Sequence, residues 1–305
     1  MKSAPLRGRF FSDLLRAGRY RRKWSPGPTE QDPPKIGLAL GGGFARGVAH
    51  AGVLRALQRH GIPIHCITGI SAGSIVAAAY ASGASPDEIA SAGCAMRFGD
   101  VARWSICRMG FVVSERMARF LERLLKCYRF EEMRIPVGVV ATDLLTGEPV
   151  SFREQGDVFL PIRASCSYPG LFQPVRFGDR LLVDGAMSME IPAGLARELG
   201  ATHVISVYLP AAPPQNMPKN VFEVVNRCFQ IMQTRIEDEW RAESDLIITP
   251  DVRSVAWDGF ESGQAMVEAG EAAAEAAIPK ILSWLPRPRV SAPASAKVAP
   301  GVETA

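Results

Sequence analysis

"IHCITGISAGSIVAAAYASG", residues 64–83, sets a β-branched run against an alanine-rich run with one serine, Ser71, at the join. Its first residues read as a short apolar strand, and the alanines as a helix that stops near Gly83. Gly69-Ile70-Ser71-Ala72-Gly73 is then a strand-to-helix turn, and glycines two residues to either side of the serine relieve crowding there and push the hydroxyl outward. Two readings stand at this point. Ser71 is a nucleophile beside the positive end of a helix, or it is a small residue where a helix packs tightly on a sheet.

Working outward, the chain keeps alternating strand and helix signals. "KIGLAL" (35–40) is a strand ending in a glycine cluster, and "FARGVAHAGVLRALQRHG" after it has helical spacing and a terminal Gly61. From Ser114 to Tyr128, Met117, Phe120, Leu121, Leu124 and Leu125 keep a 3/4 rhythm with charges opposite, the pattern of a core-facing helix. "IPVGVVATDL", "PVSF", "RLLVDG", "THVISVYL" and "SDLIITP" read as further strands. "VFEVVNRCFQIMQTRIEDEW" (221–240) reads as a long helix with Val221, Val224, Val225, Cys228, Phe229, Met232, Ile236 and Trp240 on one side, and 260–285 as a final helix. Strands interleaved with helices predict an α/β fold, a three-layer α/β/α sandwich with a largely parallel central sheet. No internal repeat or linker interrupts 35–285, so this stretch is expected to be one domain. "RFGDVARWSICRMGF" (97–111) reads either as a lid or as a core helix with its connecting loop.

Composition narrows the classes. With 305 residues and 47% hydrophobic content the chain can bury a substantial core. Its apolar runs stop well short of the ~20 residues a membrane-spanning helix needs. The six cysteines show no C-x-x-C pair or metal-ligand spacing, and read as reduced thiols of a cytoplasmic protein. The net charge of +4 is concentrated in residues 1–34, where eight basic residues up to Lys23 face Asp13 alone. This arm is read as disordered and solvated, or as drawn to anionic lipid headgroups at the inner membrane surface. "FFSDLL" is too short and too charged for a signal peptide. Without repeated aromatic interleaving in the arm, nucleic acid is not expected as a partner. Residues 286–305, rich in Pro, Ala and Ser, read as a disordered tail.

The loop "GLALGGGFARG" (37–47) invites a nucleotide reading, which fails on both templates. A dinucleotide fingerprint begun at Gly41 needs glycine where Arg46 stands, and no acid occurs between Pro33 and Pro86; a Walker loop needs lysine where Val48 stands. What remains is consecutive glycines, Gly41, Gly42 and Gly43, with unobstructed N–H groups, the requirement of an oxyanion hole. Arg46 is read as bracing this loop, or else as contacting a phosphate headgroup. Of the four histidines, His65 and His203 stand at strand beginnings, His60 lies at the far end of a helix, and His50 reads as packing. Sites in parallel sheets form at the carboxyl ends of strands. Asp184, ending "RLLVD" before Gly185, is the better-placed base, and Asp143, ending "VGVVATD", is its rival.

Three stretches taken together resemble the ordered motifs of the patatin-like phospholipases: Gly41-Gly42-Gly43-x-x-Arg46-Gly47, Gly69-x-Ser71-x-Gly73 and Asp184-Gly185-Ala186. "ATDLLTGEPVSF" and "RASCSYPGLFQPV" add to the likeness, which covers about residues 35–250. The resemblance implies a patatin-like fold and a Ser71/Asp184 dyad with the Gly41–Gly43 loop as oxyanion hole. It implies phospholipid or lysophospholipid esters as substrates, and neither cofactor nor metal. Ala186 stands where many members have a third glycine, and "SMEIPA" where an Asn-Pro stretch is frequent. Two other functions share these features: a non-hydrolytic lipid-binding or regulatory module, and an acyltransferase using the same acyl-enzyme.

Overall fold

Short β-branched runs separated by helices give ten strands in the computed structural model, which describes residues 33–101, 103–107, 110–113, 115–212 and 217–286. The strands are β1 (Ile36–Leu40), β2 (Ile64–Gly69), β3 (Arg103–Cys107), β4 (Gly110–Val113), β5 (Val137–Asp143), β6 (Pro149–Phe152), β7 (Val175–Phe177), β8 (Arg180–Asp184), β9 (His203–Val207) and β10 (Leu246–Ile248). The helices are α1 (Ala49–Arg59), α2 (Ala72–Ser82), α3 (Pro86–Ala95), α4 (Phe98–Val101), α5 (Glu115–Leu124), α6 (Phe159–Ser165), α7 (Ala193–Glu198), α8 (Val221–Arg235), α9 (Glu237–Ala242) and α10 (Gly263–Leu282). The basic arm and the Pro/Ala-rich tail lie, but for a few residues, outside the described residues.

β10, β9, β1, β2 and β5 form a parallel array, as the sequence predicts for strands joined through helices. Side-chain alternation sorts the two faces. Ile36, Leu38 and Leu40 of β1, with Ile67, Ile205 and Val207, meet the apolar sides of α1, α2, α3 and α10 in the larger core. Ala39, Cys66 and Val204 point the other way, against Ala193 and Ala196 of α7 and Trp240 of α9. The result is the expected helix–sheet–helix sandwich, with a mostly parallel central sheet.

β5 departs from this regularity. β2 pairs with its Val137–Val139, β6 with its Val139–Thr142 and β8 with its Ala141–Asp143, the last two antiparallel. Because β6 overlaps both β2 and β8 along β5, those two must share the opposite edge, where they lie end to end. The carboxyl ends of β2 and β8 therefore face each other across a single β5 residue, Val140.

Two sequence readings change. Within 97–111, read as a lid or as a core helix with its connecting loop, the described residues give the single turn of α4 and then β3, which pairs antiparallel with β4. The long helix expected over 221–240 breaks at Ile236 into α8 and α9. Trp240 is buried, but Val221, Val224 and Met232, grouped with it on one apolar side, are exposed.

The α1–α10 crossing is the tightest helix contact. A Cβ added at Gly270 would run into the Ala49 carbonyl oxygen, so the two backbones touch. Arg55 and Arg59 flank this crossing with bonds of 3.3 and 3.0 Å to Glu271. Replacing Gly270 with valine is expected to lower unfolding stability by about 1–3 kcal/mol, the usual cost of overpacking, read as a lower urea midpoint at unchanged slope.

Candidate active site

Ser71 caps α2 with φ 52° and ψ −127°, a left-handed conformation rare for a residue with a Cβ. What holds it there is explicit. Its N–H donates to Ser165 Oγ at 2.8 Å, and the Ser165 hydroxyl donates in turn to the Val140 carbonyl at 2.6 Å. Its own carbonyl accepts from Ser74 Oγ at 2.6 Å. Gly73 explains the motif's second glycine: a Cβ there would stand 2.5 and 2.6 Å from the Leu40 and Gly41 carbonyl oxygens. Only a bare backbone lets the end of β1 lie over the first turn of α2.

Asp184 reaches Ser71 by a different path from the one its sequence suggests. β8 runs antiparallel to β5, so Asp184 comes to the carboxyl edge of the parallel array from the opposite direction. It pairs with Ala141 while Gly69 pairs with Val139, which sets it head-on to the serine along one β5 edge. Asp184 is 1% exposed. Burial pushes its carboxyl up to about 7, opposed by the Ala186 N–H, which donates to Oδ1 at 3.0 Å, and by the Ser71 hydroxyl. An ordinary aspartate is a weak base; one titrating near neutrality matches the task far better.

The glycine loop supplies two free amides rather than three. Gly41 donates its N–H to the Val207 carbonyl at 3.1 Å, as the continuation of β1 against β9, which removes it from the expected oxyanion donors. The N–H groups of Gly42 and Gly43 have no partner among the described residues. A Cβ on Gly42 would lie 3.4 Å from that of Ser71, so this loop borders the nucleophile directly. Arg46 holds the loop's shape, donating through Nε to the Gly43 carbonyl at 3.4 Å and through Nη1 to the Pro210 carbonyl at 3.3 Å. Fully buried His50 does more than pack: its Nε2 donates to the Gly41 carbonyl at 2.9 Å, and burial lowers its pKa to about 4, keeping it neutral.

Gly42, Gly43, Arg46, Ser71 and Asp184 line one cavity of about 650 Å³. Two further lining residues carry no signal in the local sequence. Tyr168 bonds Asn226 through its hydroxyl at 2.8 Å and stacks edge-on against Phe44 and Phe229. Glu190 accepts from Trp240 Nε1 at 3.2 Å, and burial, aided by Glu237, raises its carboxyl to about 7. Asp143, the rival base, does not line this cavity. Its Oδ1 instead caps the β5–β6 turn by accepting from the Leu145 N–H at 3.0 Å. His60 sits at the surface, 2.7 Å from Glu275, and His203 lies beside Trp284. Among the described residues no group of His, Cys, Asp or Glu is placed to hold a metal ion.

Comparison with known proteins adds a family and a fold. The family model described as patatin-like phospholipase matches residues 38–197. An uncharacterized NTE family protein of Mycobacterium tuberculosis is 34% identical over 194 residues, covering 62% of this chain and 53% of the relative. A lysophospholipase of Debaryomyces hansenii is 32% identical over 182 residues, covering 56% of this chain and 12% of its own length. The chain thus spans about half the length of the mycobacterial relative and a small part of the yeast one. The solved structure of VipD from Legionella pneumophila aligns with TM-score 0.55 at 15% identity, over 89% of this chain and 72% of that one, and shares the fold.

The strain at Ser71 has a measurable sign. Ser71→Gly relieves a conformation that costs a side-chain-bearing residue about 1–3 kcal/mol, so this variant is expected to melt higher than the wild type while losing its hydroxyl chemistry. Differential scanning calorimetry of the two proteins decides it; a lower melting temperature for the glycine variant contradicts the strained turn.

Proposed function

The chain belongs to the patatin-like phospholipase family, and we propose that it hydrolyses acyl esters of phospholipids or lysophospholipids through Ser71 and Asp184. The observation that carries this reading is the end-to-end meeting of β2 and β8 on β5, which sets the strained serine and the buried carboxyl against each other in one cavity.

The chemistry follows from the groups in place. Ser71 Oγ attacks the ester carbonyl as its proton passes to the Asp184 carboxylate. The carbonyl oxygen, now an anion, is met by the Gly42 and Gly43 N–H groups, each such donor being worth about 2.7–4 kcal/mol of barrier. Collapse breaks the acyl–oxygen bond, and Asp184 returns its proton to the departing alkoxide. Water then attacks the acyl-enzyme, again giving a proton to Asp184, and releases the fatty acid with Ser71 restored. The Ser165 and Val140 bonds keep the hydroxyl aimed while this proceeds.

Serine chemistry separates this from a lipid-binding module without turnover. A fluorophosphonate probe is expected to label wild type and not Ser71→Ala; an unlabelled wild type favours the binding module. Transfer to an alcohol acceptor would give a new ester in place of the free acid, which product analysis reveals.

The pH dependence has a definite direction. Asp184 must be ionised to take the serine proton, so hydrolysis of a water-soluble aryl ester is expected to rise through an apparent pKa of about 7. Ser71→Ala and Asp184→Asn are each expected to lose about a thousandfold or more in kcat, and Asp143→Asn to stay near wild type. Stability runs the other way. A carboxyl raised from 3.8 to about 7 favours the folded state most at low pH, and this contribution is lost as pH climbs through 7. Asp184→Asn should therefore flatten the decline in unfolding stability between pH 4 and pH 8, measured by urea titration at each pH; an unchanged slope, or an active Asp184→Asn, overturns the assignment.

A further inference from the structure

α8 is amphipathic in the reverse sense. Asn226, Gln230, Gln233 and Thr234, polar residues, line the cavity above Ser71. Away from the cavity the helix is apolar and open: Val221 is 79% exposed, Val224 45% and Met232 52%, with Met217 just before the helix 84% exposed, while Ile231, 57% exposed, stands at the border and also lines the cavity. At 100° per residue these side chains and the exposed Cys228 fall on one stripe, at i, i+3, i+7, i+10 and i+11. No described residue covers it, and half of the large exposed apolar residues of the described chain stand in this one segment. A contiguous apolar stripe of this kind marks an interaction surface, since scattered single residues would need no explanation.

Its surroundings identify the partner. Within 217–235, Lys219, Arg227 and Arg235 stand against Glu223 alone, and Arg46, Arg227 and Arg253 line the cavity beside the helix. A surface that sets an apolar stripe on a segment of net positive charge matches a phospholipid bilayer, where an amphipathic helix lies in the interface with its apolar side among the acyl chains. A protein partner would find the apolar stripe equally acceptable, but would leave unexplained why residues of the same helix line the cavity holding Ser71.

We propose that α8 is the element by which this protein docks on a phospholipid surface, lying with Val221, Val224, Cys228, Ile231 and Met232 toward the acyl chains and presenting the cavity mouth to the headgroups. The proposal rests on the lipid-hydrolase reading for its purpose, though its geometry is independent of catalysis. Docking in this orientation shortens the path of an ester from the bilayer to Ser71, because the helix that touches lipid is also the wall of the cavity.

Vesicle flotation of the full chain carrying Ser71→Ala, with vesicles of equimolar phosphatidylcholine and phosphatidylglycerol, tests it without turnover. Adding Val224→Asp and Met232→Gln, both on the outward side, is expected to weaken vesicle partitioning about tenfold or more, as the loss of two inserted apolar side chains implies. Val224→Trp is expected to strengthen it while, on a background retaining Ser71, hydrolysing a soluble aryl ester at the wild-type rate, which a misfolded chain would not. Vesicle binding equal in all three proteins overturns the proposal. So does a wild type that ignores vesicles but self-associates through the stripe, seen by light scattering as a dimer that the double substitution dissolves. On a background retaining Ser71, the double variant should hydrolyse a soluble aryl ester at the wild-type rate. A wild type inactive on that ester would count against the hydrolase reading, while the flotation comparison still decides the docking surface.

Discussion

The carbonyl of Val140 is the point on which the site turns. It belongs to the one β5 residue left between the end of β2 and the end of β8, and it accepts the hydroxyl of Ser165 at 2.6 Å. Ser165 in turn accepts the N–H of Ser71 at 2.8 Å, while Thr142, two residues along β5, donates to the Asp184 carbonyl at 2.9 Å. One strand edge thus fixes both members of the pair. A slip of β8 by a single residue would turn Asp184 to the other face of the sheet, because strand side chains alternate with period two. The antiparallel β8 inside a parallel array is therefore the means by which a carboxyl from a distant segment arrives at the height of the serine.

Burial then does the electrostatic work. Asp184, Glu190 and His50 all sit where water is scarce, and each is displaced toward its neutral form: the acids upward, the histidine downward. The three differ in what limits the displacement. Asp184 keeps two donors, the Ala186 N–H and the Ser71 hydroxyl, that favour its ionised form, so the same contacts that orient it also bring its pKa back toward the working range. His50 has one partner, the Gly41 carbonyl, while its Nδ1 is buried with none. A neutral imidazole donating from Nε2 is what holds the glycine loop, and protonation would set a charge in an apolar site with nothing to receive it.

Much of this was legible in the sequence, and the exceptions have physical causes. Ser71 and the loop at 41–43 could be read because their chemistry is local: a strand, a tight turn and a helix within twenty residues leave a compositional trace. The parallel strands could be read for the same reason. The loss of Gly41 as a free donor could not, because its N–H is taken by Val207, brought beside it only when β9 joins β1. The roles of Ser165 and Glu190, which stand in "RASCSYPGLFQPV" and "SMEIPA", went unread for the same cause, since their partners are distant in the chain. Asp184 was read at the edge where Ser71 stands, but not the direction of its strand: "RLLVDG" reads the same whether its strand runs with the sheet or against it. Periodicity failed differently at 221–235. It put Val221, Val224, Cys228 and Met232 together with Phe229, which packs on Tyr168, and Trp240, which is buried, because periodicity carries no sign saying which side is outward when the helix covers a polar cavity.

That inversion ties the helix to the chemistry beneath it. A helix of α8's length gains little from propensity alone and needs tertiary anchors. With its apolar stripe outward, its anchors include the Asn220 cap, whose Oδ1 accepts from the Glu223 N–H at 2.9 Å, the Phe229 ring 5.3 Å from that of Tyr168, and the Tyr168 hydroxyl on Asn226. Two of these run through Tyr168, which lines the cavity and whose phenol is pushed up by burial and, secondarily, by the charge of the Asp184 carboxyl. A shift of α8 would therefore act on a residue that shares the cavity with the base. Asp184 owes its near-neutral pKa to exclusion of water, so the position of the outer helix and the basicity of the inner carboxylate are two consequences of one packing arrangement.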